Sequence, residues 1–232
     1  MSREAPVVFL FDVDNTLLDN DRIKYDLDRR VAAGFGPEGA AKFWSTYEDL
    51  RGRLGYADLL GAIQVFRLEC DDAVRAQELA EFLLDYDFAA RLFPRALEAI
   101  RHLSRSGPCV VVSDGDAVLQ PRKIRNSGIA AAVQDQVLIY VHKQRMLQDV
   151  ERRYPARHYV MVEDKLEVLD GIRRRWGDRV TTVLVRQGHY AEEQSRLSRI
   201  PPAQVTLREI GELCDLPAVD LVSPPAKPQA RE

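Results

Sequence analysis

The chain has 232 residues, 46% of them hydrophobic and 30% charged, enough to bury a sizeable core in one large domain or one domain carrying an insertion. Its formal net charge is -3, and its basic residues are dispersed instead of gathered into a patch, which argues against a nucleic-acid partner. No apolar run approaches the ~20 residues that cross a bilayer, and the polar start, Met1 to Pro6, lacks the pattern of a signal peptide.

The first apolar run, Val7 to Phe11, reads as a strand. From Asp19 to Phe88 no strand pattern follows, only helix-like segments broken at Gly34 to Pro37, at Gly52 to Gly55 and at Asp71-Asp72. A crossover between parallel strands needs far fewer residues, so residues 19–88 are expected to form a helical cap inserted over the sheet's edge. Leu97, Ile100 and Leu103 then mark a helix that Gly107 terminates, before a second run at Cys109 to Val112. Further runs lie at Val137 to Val141, Tyr159 to Val162 and Val180 to Val185; Leu166, Leu169, Ile172 and Trp176 form a helical stripe between the last two. Each run is nearly continuous, as in parallel strands covered on both faces. Strands alternating with helices predict an α/β fold, a doubly wound Rossmann-like parallel sheet made of residues 1–18 and 89–216. Residues 217–232, with four prolines, are expected to be a flexible tail.

Arg152-Arg153 and Arg173 to Arg175 fall inside amphipathic helices and read as solvated faces. Cys70, Cys109 and Cys214 are far apart with no CxxC pair; they read as reduced thiols of a cytoplasmic protein, with Cys109 in a core strand.

The first strand ends in Phe11-Asp12-Val13-Asp14-Asn15-Thr16-Leu17-Leu18. In an open parallel sheet, ligands bind outside the carboxyl ends of the strands, where Asp12 and Asp14 fall. Two carboxylates one residue apart can serve one site if the chain turns sharply: one attacks while the other handles the leaving group's proton. An isolated DxD could merely end a strand, but an apolar strand followed by DxDxTL is far more specific.

Here the chain resembles the haloacid dehalogenase-like (HAD) superfamily, which opens with DxDx[TV] after its first strand. Asp12, Asp14 and Thr16 match that motif. Ser113, closing Val110-Val111-Val112, matches the second motif; Lys143 matches the third; Glu163-Asp164 matches the fourth. The resemblance runs from Val7 to about Cys214, and it implies a hydrolase with an aspartate nucleophile and Mg2+. Asp12 would attack phosphorus to give an aspartyl-phosphate, and Asp14 would protonate the leaving alkoxide and then activate water. Ser113 would bond a phosphoryl oxygen, Lys143 would orient Asp12, and the metal would be held by Asp12, the carbonyl of Asp14, and Asp164 with Glu163. Positioning and cations are what phosphoryl transfer requires.

Each residue also has a plainer reading. Ser113 alone could be a turn residue, and Asp164-Lys165-Leu166-Glu167 reads as a capping box. Lys143 is preferred to Lys123, which is expected to be a solvated helix residue. Glu163 is a departure from relatives with Asp or Gly there, and Asp170 reads as solvated. Gly188-His189-Tyr190 and the Gly-hinged stretch Arg51 to Tyr56 could line the site or simply be exposed.

The leading expectation is a phosphatase acting on a small phosphorylated metabolite, with no nucleic-acid or membrane partner. The alternatives are a haloacid dehalogenase, a phosphotransferase and a non-catalytic binding member. Halide leaves without a proton, so an acid at Asp14 favours phosphate esters.

Overall fold

The computed structural model describes residues 4–190 and 200–222. Its centre is a sheet of six parallel strands in the order β3-β2-β1-β4-β5-β6. These are β1 Ala5–Phe11, β2 Cys109–Asp114, β3 Val137–Tyr140, β4 Ala156–Glu163, β5 Val180–Val185 and β6 Val205–Leu207. Helices cover both faces: α4 Ala96–Leu103, α5 Leu119–Asn126, α6 Ile129–Ala132, α7 Leu147–Arg153 and α8 Leu166–Trp176. Residues of β1 alternate between two apolar clusters, Phe9 and Phe11 in one and Val8 and Leu10 in the other. That two-sided burial is why the strand reads as a continuous apolar run.

Connectivity decides where a ligand can bind. The chain steps from β1 through β2 to β3 in one direction, then returns to place β4, β5 and β6 on the other side of β1. The order therefore reverses between β1 and β4, and a cleft opens outside their carboxyl ends. Phe11 pairs with Val162, so the residues that follow, Asp12 and Glu163, emerge side by side at that point.

Between β1 and β2 the chain forms α1 Asn20–Leu54, α2 Leu59–Glu69 and α3 Ala73–Leu84. Asp19, Asp58 and Asp72 cap them, accepting from the backbone N–H three residues on, at 2.8, 2.7 and 2.9 Å. Such caps contribute ~1 kcal/mol each. The expected break at Gly34 to Pro37 is a kink inside α1, where Gly36 takes φ 72° ahead of Pro37. Gly55 ends α1 in the left-handed region (φ 79°). Phe66 of α2 meets Phe35 and Phe43 of α1 edge-on at 5.0 and 5.7 Å, the seam that joins these helices.

Three details depart from the sequence reading. β6 was not foreseen: it has three residues, of which only Leu207 is buried. The stretch expected to be flexible from Pro217 begins instead as a helix, Ala218–Val222, because Leu221 packs into the core; residues 223–232 lie outside the described part. Asp164 does not cap α8: Lys165 occupies that position, and no side chain there makes the capping bond.

Candidate active site

The loop after β1 is built by short-range hydrogen bonds. Thr16, Leu17 and Leu18 donate their backbone N–H groups to the Val13 carbonyl at 3.2, 2.9 and 3.0 Å, and Asn15 donates to that of Leu18 at 2.7 Å. Asn15 sits at φ 60°, a conformation asparagine tolerates better than most residues. The turn brings Asp12 and Asp14 to one cavity, of roughly 140 Å³, that also reaches Asp114, Lys143 and Lys165.

Asp12 is buried, and its backbone N–H is fixed to the Val162 carbonyl at 3.0 Å. Lys143 donates from Nζ to Asp12 Oδ1 and lies 2.5 Å from Glu163 Oε2, while Thr16 Oγ1 donates to Asp12 Oδ2 at 3.2 Å. Burial and the neighbouring Glu163 charge push the Asp12 carboxyl up to about 6, against the pull of Lys143. Burial disfavours the Lys143 ammonium, but Asp12, Glu163 and Asp114 outweigh it and hold its pKa above that of an ordinary lysine. Asp114 Oδ1 accepts from the Lys143 backbone N–H at 2.7 Å and so fixes the loop from which Lys143 enters the site.

Asp12, Glu163 and Asp164 bring one carboxylate oxygen each to within 4.8 Å of one another. Burial, then the Glu163 charge, raise the Asp164 carboxyl well above its usual range. Three hard oxygen donors crowded in a buried cluster fit a small divalent cation, which would offset their charge. Lys165 adds a second cation beside these acids, which keep its pKa high despite burial.

The sequence-derived residues are thus not all equivalent in place. Asp12, Lys143, Glu163 and Asp164 form one buried cluster, and Asp14 borders the same cavity. Ser113 sits at the end of the neighbouring strand β2, where its Oγ accepts from Gln120 Nε2 at 2.9 Å; the next residue, Asp114, borders the cavity instead. Lys123 corrects the sequence reading. It is not solvated: it is 3% exposed, and its Nζ donates to Asp14 Oδ1 and Oδ2 at 2.7 and 3.0 Å and to Asn20 Oδ1 at 3.0 Å. A lysine on a polar helical segment carries no signal of this, because only the packing of α5 beneath the insertion directs it inward.

The insertion closes the cavity from above. Arg51 donates to Tyr190 Oη at 3.3 Å, and Gly55 lies so near His142 that an added Cβ would come within 2.7 Å of its ring. His189 borders the cavity but is committed elsewhere: Asp21 accepts from its backbone N–H at 2.8 Å and lies 2.6 Å from its Nδ1. Asn15 Nδ2 donates to the same carboxylate at 3.0 Å, which ties the rim loop to the start of α1.

The family model for haloacid dehalogenase-like hydrolases matches residues 9–185. Among solved structures, a protein of Burkholderia xenovorans LB400 assigned as a haloacid dehalogenase-like hydrolase shares 51% identity at TM-score 0.87, over 92% of this chain and 99% of that one. A HAD-hydrolase assignment, YfnB of Bacillus subtilis, bound to magnesium, superposes at TM-score 0.61 with 17% identity, over 90% and 97% of the two chains. The L-2-haloacid dehalogenase of Xanthobacter autotrophicus superposes at 0.61 with 15% identity, over 91% and 98%. No curated protein matches significantly.

Proposed function

The chain belongs to the haloacid dehalogenase-like hydrolases, and on that premise we propose that it is a magnesium-dependent phosphatase acting on small phosphorylated metabolites. The observation that carries this reading is the pairing of two carboxylates with different surroundings. Asp12 is buried against Lys143, while Asp14, held by Lys123, keeps a quarter of its side chain exposed at the cavity. In this reading Asp12 Oδ attacks phosphorus, the P–O bond to the alkoxide breaks, and Asp14 gives the departing oxygen its proton. Asp14 then takes a proton from the water that cleaves the aspartyl-phosphate. Lys143 orients Asp12 and offsets charge on the phosphoryl oxygens. Asp12, Glu163, Asp164 and the Asp14 carbonyl would hold Mg2+, which supplies Lewis-acid stabilisation of the transferring group when bound. The insertion over the site acts as a cap that excludes water and restricts the site to small substrates. The protein works in the cytoplasm on a small-molecule substrate, without nucleic-acid or membrane partners.

Dehalogenation is the second reading, and the aspartate nucleophile and the shared fold support it. Halide departs without a proton, however, and that chemistry gives Asp14 no task. A panel of phosphate esters and haloacids, assayed with magnesium and with EDTA, tests the choice. Ester hydrolysis that EDTA stops and magnesium restores is expected, with no haloacid turnover. Asp14→Asn should lower the ester rate ~100- to 10,000-fold. Haloacetate turnover that persists in Asp14→Asn and in EDTA, without ester hydrolysis, would overturn the phosphatase reading.

A further inference from the structure

The wall of the cavity that α1 supplies has a chemistry the phosphatase reading does not use. Lys24, Tyr47 and Arg51 all border the cavity that holds Asp12 and Asp14. Lys24 Nζ lies 5.1 Å from the centre of the Tyr47 ring. It makes no ion pair among the described residues, and burial followed by the nearby Arg51 charge depresses its pKa. Arg51 spends only part of its guanidinium, on the exposed Glu48 at 3.3 Å and on Tyr190 Oη at 3.3 Å. The Tyr47 side chain is fully buried, yet its hydroxyl has no hydrogen-bond partner among the described residues. Buried hydroxyls normally find a partner, and two half-buried cations at one cavity, Arg51 with 41% of its side chain exposed, favour an anion between them.

Asp14 and Asp21 lie near enough to act on Lys24, but their carboxylates are bonded to Lys123 and to His189. The cations acting most on Asp12 are Lys143 and Lys165, at the strand ends. Lys24 and Arg51 belong to the opposite wall, on the insertion. Two groups of cations on two walls fit a molecule with an anionic group at each end. The cavity is small, roughly 140 Å³, which favours a short skeleton between those groups.

We propose that the substrate is a short phosphomonoester bearing a second anionic group, a carboxylate or a second phosphate, which Lys24, Arg51 and the Tyr47 hydroxyl bind while the scissile phosphoryl group meets Asp12. This rests on the phosphatase reading. It makes Lys24, Tyr47 and Arg51 specificity residues of the insertion.

The test compares three-carbon esters that differ only at the far end: 3-phosphoglycerate, glycerol 3-phosphate and glycerol 1,3-bisphosphate. With magnesium, wild type should favour one or both of the doubly anionic esters over glycerol 3-phosphate by at least roughly tenfold in kcat/KM, and mainly through KM, the size of one charge-assisted contact. The better of the two identifies the group. Lys24→Met, Arg51→Met and Tyr47→Phe, each checked for folding by circular dichroism and thermal melting, should cut that ratio several-fold, whereas Lys24→Arg should keep it. Equal hydrolysis of all three esters by wild type, or variants whose ratio stays at the wild-type value, would overturn the proposal while leaving the phosphatase reading intact. Hydrolysis of none of the three or of the wider ester panel would overturn both.

Discussion

A buried carboxylate has to be neutralised or paired, and Asp12 is paired with both a lysine and a hydroxyl. Asp12→Asn keeps the shape but trades one accepting oxygen for a donor and removes the nucleophile, so turnover should fall below detection with the fold retained. Measured steady-state rates near wild type would remove Asp12 from the mechanism. Lys123 acts at one remove: it holds Asp14 and Asn20 from α5. Lys123→Met should lower kcat roughly 10- to 100-fold by misplacing Asp14 and cost about 1–3 kcal/mol in urea-melt stability by stranding polar partners. Recovery of kcat in Lys123→Arg would separate positioning from general destabilisation, and a wild-type kcat in Lys123→Met would refute the role. Cys109 gives the opposite kind of prediction. Burial pushes its thiol up to about 12, so it should stay protonated and resist alkylation at pH 8 in the folded protein. Mass spectrometry after iodoacetamide should find it labelled only on unfolding. At this scale the sequence was legible where a residue's neighbours in the chain define its task, as in Asp12-Val13-Asp14 and Glu163-Asp164. It was silent where the task comes from a distant element, as with Lys123, or with Tyr47 on an amphipathic helix.

At the scale of elements, the strands were readable because burial on both faces leaves a continuous apolar run. β6 escaped because an edge strand of three residues needs only one buried side chain. The insertion's helices were readable from their breaks, since each break carries either a glycine in the left-handed region or an aspartate cap. The capping box at Asp164 misled for a physical reason: the carboxylate is drawn into the acidic cluster with Asp12 and Glu163 and so leaves α8. Two glycines separate backbone strain from contact. Gly36 (φ 72°) has open space where a Cβ would go, whereas at Gly188 (φ 70°) a Cβ would come within 2.7 Å of Asn15. Gly36→Ala should cost about 1–3 kcal/mol from strain alone and leave kcat unchanged. Gly188→Ala also puts a side chain at positive φ and in addition displaces Asn15, which joins the nucleophile loop to Asp21. It should therefore lose more stability and several-fold in kcat, and identical effects of the two substitutions would show that the rim loop does not support the site.

At the scale of the whole molecule, the reversal of strand order beside β1 decides that Asp12, at the end of one strand, and Glu163 with Asp164, at the end of its neighbour, share one point in space. The sheet crowds three buried carboxylates together, with Lys143 and Lys165 beside them to offset their charge. A cation that binds this cluster binds only the folded chain, so magnesium should raise the melting temperature with concentration. At about 100 times its Kd the stabilisation is about 2.7 kcal/mol, or roughly 5–10 °C for a chain of this length. Asp164→Asn separates the two sides of the argument. It removes an acid whose charge burial and Glu163 disfavour, so without metal the variant should melt no lower than wild type, yet it also removes a ligand and should lose most of the magnesium-dependent shift. Calorimetric scans of both proteins in EDTA and across a magnesium series measure this directly. An equal shift in both proteins would place the metal elsewhere, and a wild-type melt that ignores magnesium up to about 10 mM would mean that Lys143 and Lys165 already satisfy the acids, and would take the cation out of the proposed chemistry.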